Sequence, residues 1–190
     1  MMFSAERRTT LVNFLLFQAG WFICVLGAAA GRPLLAALAG LVPVLVHLAL
    51  VRQPGRETCL LLAALALGLV LDSLHLHTGV LRFPAGGLLP ALPPPWLLVL
   101  WLQFATALHF SLAWITGRPL LALAFGAIGG PLAYWAGVRL GAAGFGPDLG
   151  RALTQIGIGW AIAMAILLRI TARTAPHPNG ATYRWPVGRR

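Results

Sequence analysis

Residues 59–78 read CLLLAALALGLVLDSLHLHT, an unbroken apolar run with a single acid, Asp72, near its far end. At 1.5 Å of rise per residue this run covers about 30 Å as a helix, the thickness of a bilayer's hydrocarbon core. Five further runs of similar character flank it. The expected spans are 11–30, 34–51, 59–78, 96–116, 120–138 and 152–171. Arg32 with Pro33, Arg52 to Arg56 around Pro54 and Gly55, and Gly117-Arg118-Pro119 punctuate three tight turns. Two connections are longer, 79–95 with its run Pro93-Pro94-Pro95, and the glycine-rich 139–151. Both are expected to be irregular.

Composition agrees with the spans. Of 190 residues 59% are hydrophobic and 9% charged, against roughly 25% charged in an ordinary water-soluble domain. So little polar surface could not cover a globule in water, which excludes aqueous enzymes, disordered chains and disulfide scaffolds. The expected architecture is an all-α, polytopic transmembrane helical bundle of about six spans, forming one domain over 1–174. A basic tail, 175–190, is expected to be disordered at the inner leaflet.

The formal charge of +10 comes entirely from arginine on the basic side. With six spans, Arg7, Arg8, Arg52, Arg56, Arg118 and the five arginines from Arg169 onward share one face, while Arg32, Arg82, Arg139 and Arg151 share the other. The positive-inside rule then places both termini in the cytoplasm. Nucleic acid is not an expected partner, because the basic residues sit at helix ends beside anionic lipid. The N-terminal run reads as a retained span, since it exceeds the 7–15 residues of a signal-peptide core and carries Asn13 and Gln18. Cys24 and Cys59 fall at opposite depths, roughly 20 Å apart, too far for a disulfide.

Two stripes of small residues are expected to seat helices against neighbours: Gly20, Cys24, Gly27 and Gly31 on the first span, and Gly126, Gly130, Ala133, Gly137 and Gly141 on the fifth. Pro131 lies inside the fifth span and is expected to bend it. Trp96 and Trp114 read as interfacial anchors; Trp21, Trp101, Trp135 and Trp160 lie deeper, in the core or along a lipid cavity.

Polar residues inside spans mark function or a buried network, because each is costly in hydrocarbon unless partnered. The candidates are Asn13, Gln18, His47, Asp72, Gln103, Thr106 and His109. Asp72 is expected to cap or hydrogen-bond its helix end, with His75 and His77 as interfacial tips; Asp72, His75 and His77 together form an incomplete metal spacing. Gln103, Thr106 and His109 make a stripe facing the bundle. His47 and His109 fall at similar depth, the arrangement a bis-histidine haem would need. No cofactor is predicted beyond these two alternatives, a haem or a metal.

The blocks Asn13-Phe-Leu-Leu-Phe-Gln18-Ala-Gly20-Trp21-Phe22, Asp72-Ser73-Leu74, Trp96-Leu-Leu-Val-Leu-Trp101 and Gly126-Ala-Ile-Gly-Gly-Pro131-Leu-Ala-Tyr134-Trp135-Ala-Gly137 together resemble an uncharacterised bacterial inner-membrane family, a domain of unknown function. The resemblance runs to about Met164. This chain departs from it at His109-Phe110-Ser111-Leu112, where the family pattern has Asn-His before Ser-Leu. The resemblance implies a multi-pass protein of the bacterial inner membrane without assigned chemistry, and it points to membrane lipids. No HExxH, CxxC, paired carboxylates, phosphate loop or serine constellation is present, so the reading leans away from an enzyme. The expected function is a non-enzymatic membrane protein that binds or moves lipid or a small solute, or supports a membrane-protein partner. The alternative is a membrane enzyme or redox carrier using Asp72, His75, His77 and His109.

Overall fold

Four of the six α-helices begin on proline, which fixes a helical φ where the missing N–H would have no partner anyway. In a computed structural model that describes residues 5–84, 91–174 and 183–184, these are α2 (Pro33–Leu50), α3 (Pro54–His77), α4 (Pro95–Leu108) and α5 (Pro119–Arg139). The others are α1 (Ala5–Ala29) and α6 (Leu149–Thr174). All but α4 are long and apolar enough to cross a membrane. The molecule is a polytopic helical bundle.

Its burial is inverted relative to a water-soluble protein. Leu120, Leu38 and Val70 are 81%, 66% and 65% exposed, whereas Asn13, Asp72 and His75 are fully buried. In lipid this is the favourable arrangement, since leucine needs no shelter there and polar groups do.

The fourth span differs from expectation. Instead of 96–116, the helix ends at Leu108; turns and a short 3-10 helix, Ala113–Ile115, lead to α5. At 14 residues, α4 is only about 21 Å long. It is short because it is central: it packs against α1, α2 and α3 and buries ten of its residues. Irregular backbone at membrane depth is tolerated when protein surrounds it. Two hairpins flank this core, α1 with α2 and α5 with α6, and α3 joins α6. α1 and α5 are not among the closely packed pairs.

The two long connections are less irregular than expected. Each contributes a two-residue strand, β1 (Leu81–Arg82) and β2 (Gly144–Phe145), paired antiparallel. The pairing satisfies backbone groups beside the buried Val80 and Leu81, and Gly146 N–H adds a bond to the Val80 carbonyl at 3.0 Å. Within the tail, Tyr183 and Arg184 are described, and Tyr183 is fully buried against Val51 through a β-bridge. These two are therefore docked, not free as expected; the rest of 175–190 lies outside the described residues.

The glycine stripes divide. A Cβ at Gly126 would lie 2.5 Å from the Trp160 carbonyl oxygen, and one at Gly130 would enter the Trp160 ring, so both seat α5 on α6. A Cβ at Gly20 would meet Gln103 at 2.6 Å, and one at Gly27 would meet Ala36 at 2.7 Å. Gly137, by contrast, has nothing within 4 Å of an added Cβ and is not a packing residue. Gly31 and Gly141 are turn residues with φ of 72° and 91°, a region L side chains rarely adopt. Gly40 and Gly68, absent from both stripes, admit Cys24 and the Trp101 ring.

Candidate functional site

A hydrogen-bond network lies at the end of the bundle where the described chain ends meet, and five helices and the tail feed it. Ser111 donates to Asn13 Oδ1 from its amide at 3.2 Å and its hydroxyl at 2.7 Å. Asn13 Nδ2 donates to the Thr106 carbonyl at 2.9 Å and to Tyr183 Oη at 3.2 Å. The Tyr183 hydroxyl then points its proton at His47 Nδ1, 2.9 Å away. That makes His47 a Nε2–H donor, which reaches Glu57 Oε2 at 3.5 Å. The other Glu57 oxygen meets His109 Nδ1 at 2.8 Å, and His109 Nε2 meets the Thr171 carbonyl at 3.1 Å.

This geometry assigns a proton. The Thr171 carbonyl can only accept, so His109 Nε2 carries hydrogen, and the short contact of Nδ1 with the Glu57 carboxyl requires a second proton between them. The pair is either carboxylate with imidazolium or carboxylic acid with imidazole. Tyr183, outside the spans, has its pKa pushed up to about 12, chiefly by burial, against the donating Asn13 amide and with help from the nearby Glu57 charge.

His47 and His109 are thus brought together, but around Glu57 rather than around the space a haem would fill. Glu57 was not apparent from sequence because it follows Arg56 in a charged turn; α3 starts at Pro54, five residues before the expected span, and turns this side chain inward. Gln18 is half-buried and joins no cluster. Gln103 donates to the Gly40 carbonyl at 2.8 Å and to Cys24 Sγ at 3.5 Å, a separate tie between α4 and the first hairpin. Cys24 and Cys59 are both free.

Asp72 is fully buried and accepts two aromatic donors: Trp101 Nε1 at 2.8 Å and, closer still, the Tyr134 hydroxyl. It pins side chains of α4 and α5 rather than capping its own helix. His75 is buried with it but turns to Gln155, whose Nε2 lies 3.1 Å from His75 Nδ1 and donates to Thr78 Oγ1 at 2.8 Å. His77 is exposed and donates to the Ser73 carbonyl at 2.7 Å. Asp72, His75 and His77 therefore do not converge, and among the described residues no group of three His, Cys, Asp or Glu side chains could hold a metal ion. Tyr134 and Gln155 were not apparent from sequence because their partners are 62 and 80 positions away.

Trp101 and Tyr134 also form the wall of a cavity. Because α1 and α5 do not pack together, a cleft of about 450 Å³ runs between them, with α4 and Trp160 of α6 as its floor. Phe14, Phe17 and Trp21 line the α1 side; Phe125, Gly130, Ala133 and Gly137 line the α5 side. From Phe125 to Gly137 it extends about 18 Å at 1.5 Å per residue. Trp101 stacks on Trp160 at 4.4 Å and 16°, and Phe104 meets Trp160 edge-on at 5.1 Å. Trp96 is buried against Phe83 and lines the cleft, as does the half-exposed Trp114. Trp21, Trp101 and Trp160 line it too, while Trp135 is exposed beneath the Arg139 guanidinium at 5.7 Å. Three of the four blocks that carry the family resemblance line the cleft, and the fourth is tied to it by the hydrogen bonds of Asp72 to Trp101 and Tyr134.

Residues 10–166 match the family described as "Protein of unknown function (DUF2878)", and the chain belongs to that family. No curated protein and no solved structure matches it.

Proposed function

We propose that this DUF2878 member is a non-enzymatic lipid-binding protein of the bacterial inner membrane, with both termini in the cytoplasm, and that the cleft between α1 and α5 holds a hydrocarbon chain. The observation that carries this is the cleft itself: about 450 Å³, walled by aromatic and aliphatic side chains, between two helices that leave a lateral gap. Pockets of this size with a few fixed polar groups are where small ligands bind. In a bilayer the molecules that reach such a gap are lipids. The aromatic walls offer broad, stiff apolar faces, and Asp72 holds two of them in place through Trp101 and Tyr134. The residues an enzyme or redox carrier would need, Asp72, His75, His77 and His109, are committed to separate partners, which disfavours that alternative.

Native mass spectrometry of gently solubilised protein tests the reading. A retained lipid at one per chain, lost in a Gly137→Leu variant that fills the cleft, is the expected result. Bare protein under conditions that preserve lipid on a control membrane protein would overturn it.

A further inference from the structure

The cleft is asymmetric, and its asymmetry points to a headgroup. Among the described residues its far end is lined by apolar side chains, Phe83, Trp96 and Ala143, with Phe83 set edge-on to Trp96. At the other end Phe14 and Ser111 line both the cleft and a second, open recess whose remaining walls are Glu6, Arg7, Thr10 and Leu11. An amphiphile lying in the cleft therefore has one end at which to place polar groups.

Glu6 and Arg7, consecutive residues at the start of α1, both line the recess, together with two hydroxyl oxygens already used as donors. Thr10 Oγ1 gives its proton to the Glu6 carbonyl at 3.1 Å, and Ser111 Oγ gives its own to Asn13 Oδ1 at 2.7 Å. Both oxygens keep lone pairs that accept. Three acceptors, the Glu6 carboxylate and the two hydroxyls, thus stand beside one guanidinium suited to phosphate. The complement is a head carrying an anionic phosphate and an N–H donor.

We propose, resting on the cleft reading above, that the occupant is a zwitterionic aminophospholipid, with one acyl chain in the cleft, its phosphate at Arg7 and its primary ammonium at Glu6, Thr10 and Ser111. A quaternary ammonium has no N–H to donate, and a glycerol head offers Glu6 neutral hydroxyls in place of a cation, so the site discriminates between heads on the same acyl chains.

The test is native mass spectrometry of full-length protein in detergent, titrated with phosphatidylethanolamine, phosphatidylcholine or phosphatidylglycerol of identical acyl composition. At least fivefold greater retention of phosphatidylethanolamine is expected. Glu6→Gln should bring it within twofold of phosphatidylcholine, and Arg7→Gln should weaken all three by a similar factor. Equal retention of the three, still abolished by Gly137→Leu, overturns the headgroup assignment and leaves the cleft reading standing. Binding of none of them overturns the cleft reading itself. A preference for phosphatidylethanolamine unchanged in Glu6→Gln overturns the placement of the ammonium.

Discussion

Glu57 Oε1 lies 2.8 Å from His109 Nδ1, joining the first turn of α3 to the residue that ends α4. The same buried acid also reaches His47, so that α2, α3 and the end of α4 share one carboxyl group.

The shared proton predicts an asymmetry between substitutions. Glu57→Gln should be mild, because the amide N–H₂ donates to a neutral His109 Nδ1 while the amide oxygen accepts from His47. Glu57→Leu leaves His47 Nε2 and His109 Nδ1 unpaired, a loss of about 3–5 kcal/mol for a broken buried pair. Thermal unfolding in detergent checks this, and equal destabilisation by the two variants would refute the proton placement.

Docking of the tail through Tyr183 should respond to alkaline pH. Its folded pKa, about 12, stands above the roughly 10 of an unfolded tyrosine. The neutral phenol is thus the form the fold holds, and its contribution is complete below about pH 10 and lost as pH rises toward 12. Limited proteolysis of the tail across that window should show release, and Tyr183→Phe should remove the pH dependence.

Asp72→Asn should be milder than Asp72→Leu, since an amide oxygen can still accept one of the two donors while leucine leaves Trp101 and Tyr134 both unpaired. The loss expected for leucine is about 2–6 kcal/mol, from two buried donors at roughly 1–3 kcal/mol each. Unfolding midpoints of the two variants measure it. An unchanged midpoint in Asp72→Leu would mean the aromatic wall needs no anchor.

Gly126 and Gly137 lie on the same helix but should behave oppositely. Leucine at 126 meets backbone of α6 that cannot give way, costing about 1–3 kcal/mol or more, so aggregation or loss of yield is expected. Leucine at 137 meets open space and should leave a monodisperse protein. Size-exclusion profiles separate the two, and a well-behaved Gly126→Leu would contradict the close approach of α5 to α6.

The spans were legible because an apolar run of about 20 residues matches the depth of a bilayer and is rare in chains that fold in water. The end of α4 was not: Leu112 to Ile115 are as apolar as the helix before them, and the partner of the residue that ends it, Glu57, lies 52 positions away. Asn13, His47, Asp72, Gln103, Thr106 and His109 were recognisable as buried polar groups by their depth in apolar runs. Their partners were not, because pairing depends on which helices are neighbours. Gly126 and Gly130 were readable from spacing, yet Gly137 shares that spacing and faces the cleft, since periodicity gives a face but not what stands opposite it. Tyr183 sits in a basic, proline-containing segment whose composition hides a single buried aromatic.

Entry of lipid chains between α1 and α5 is tested most directly by tryptophan quenching. In bilayers containing phospholipids brominated along one acyl chain, Trp21, Trp101 and Trp160 line the proposed path. A chain-filled cleft predicts strong quenching in the native protein, relieved by Gly137→Leu by a factor of two or more with the fold intact. Quenching that is the same in both proteins would show that the bromines never enter the cleft, and would contradict lipid binding there.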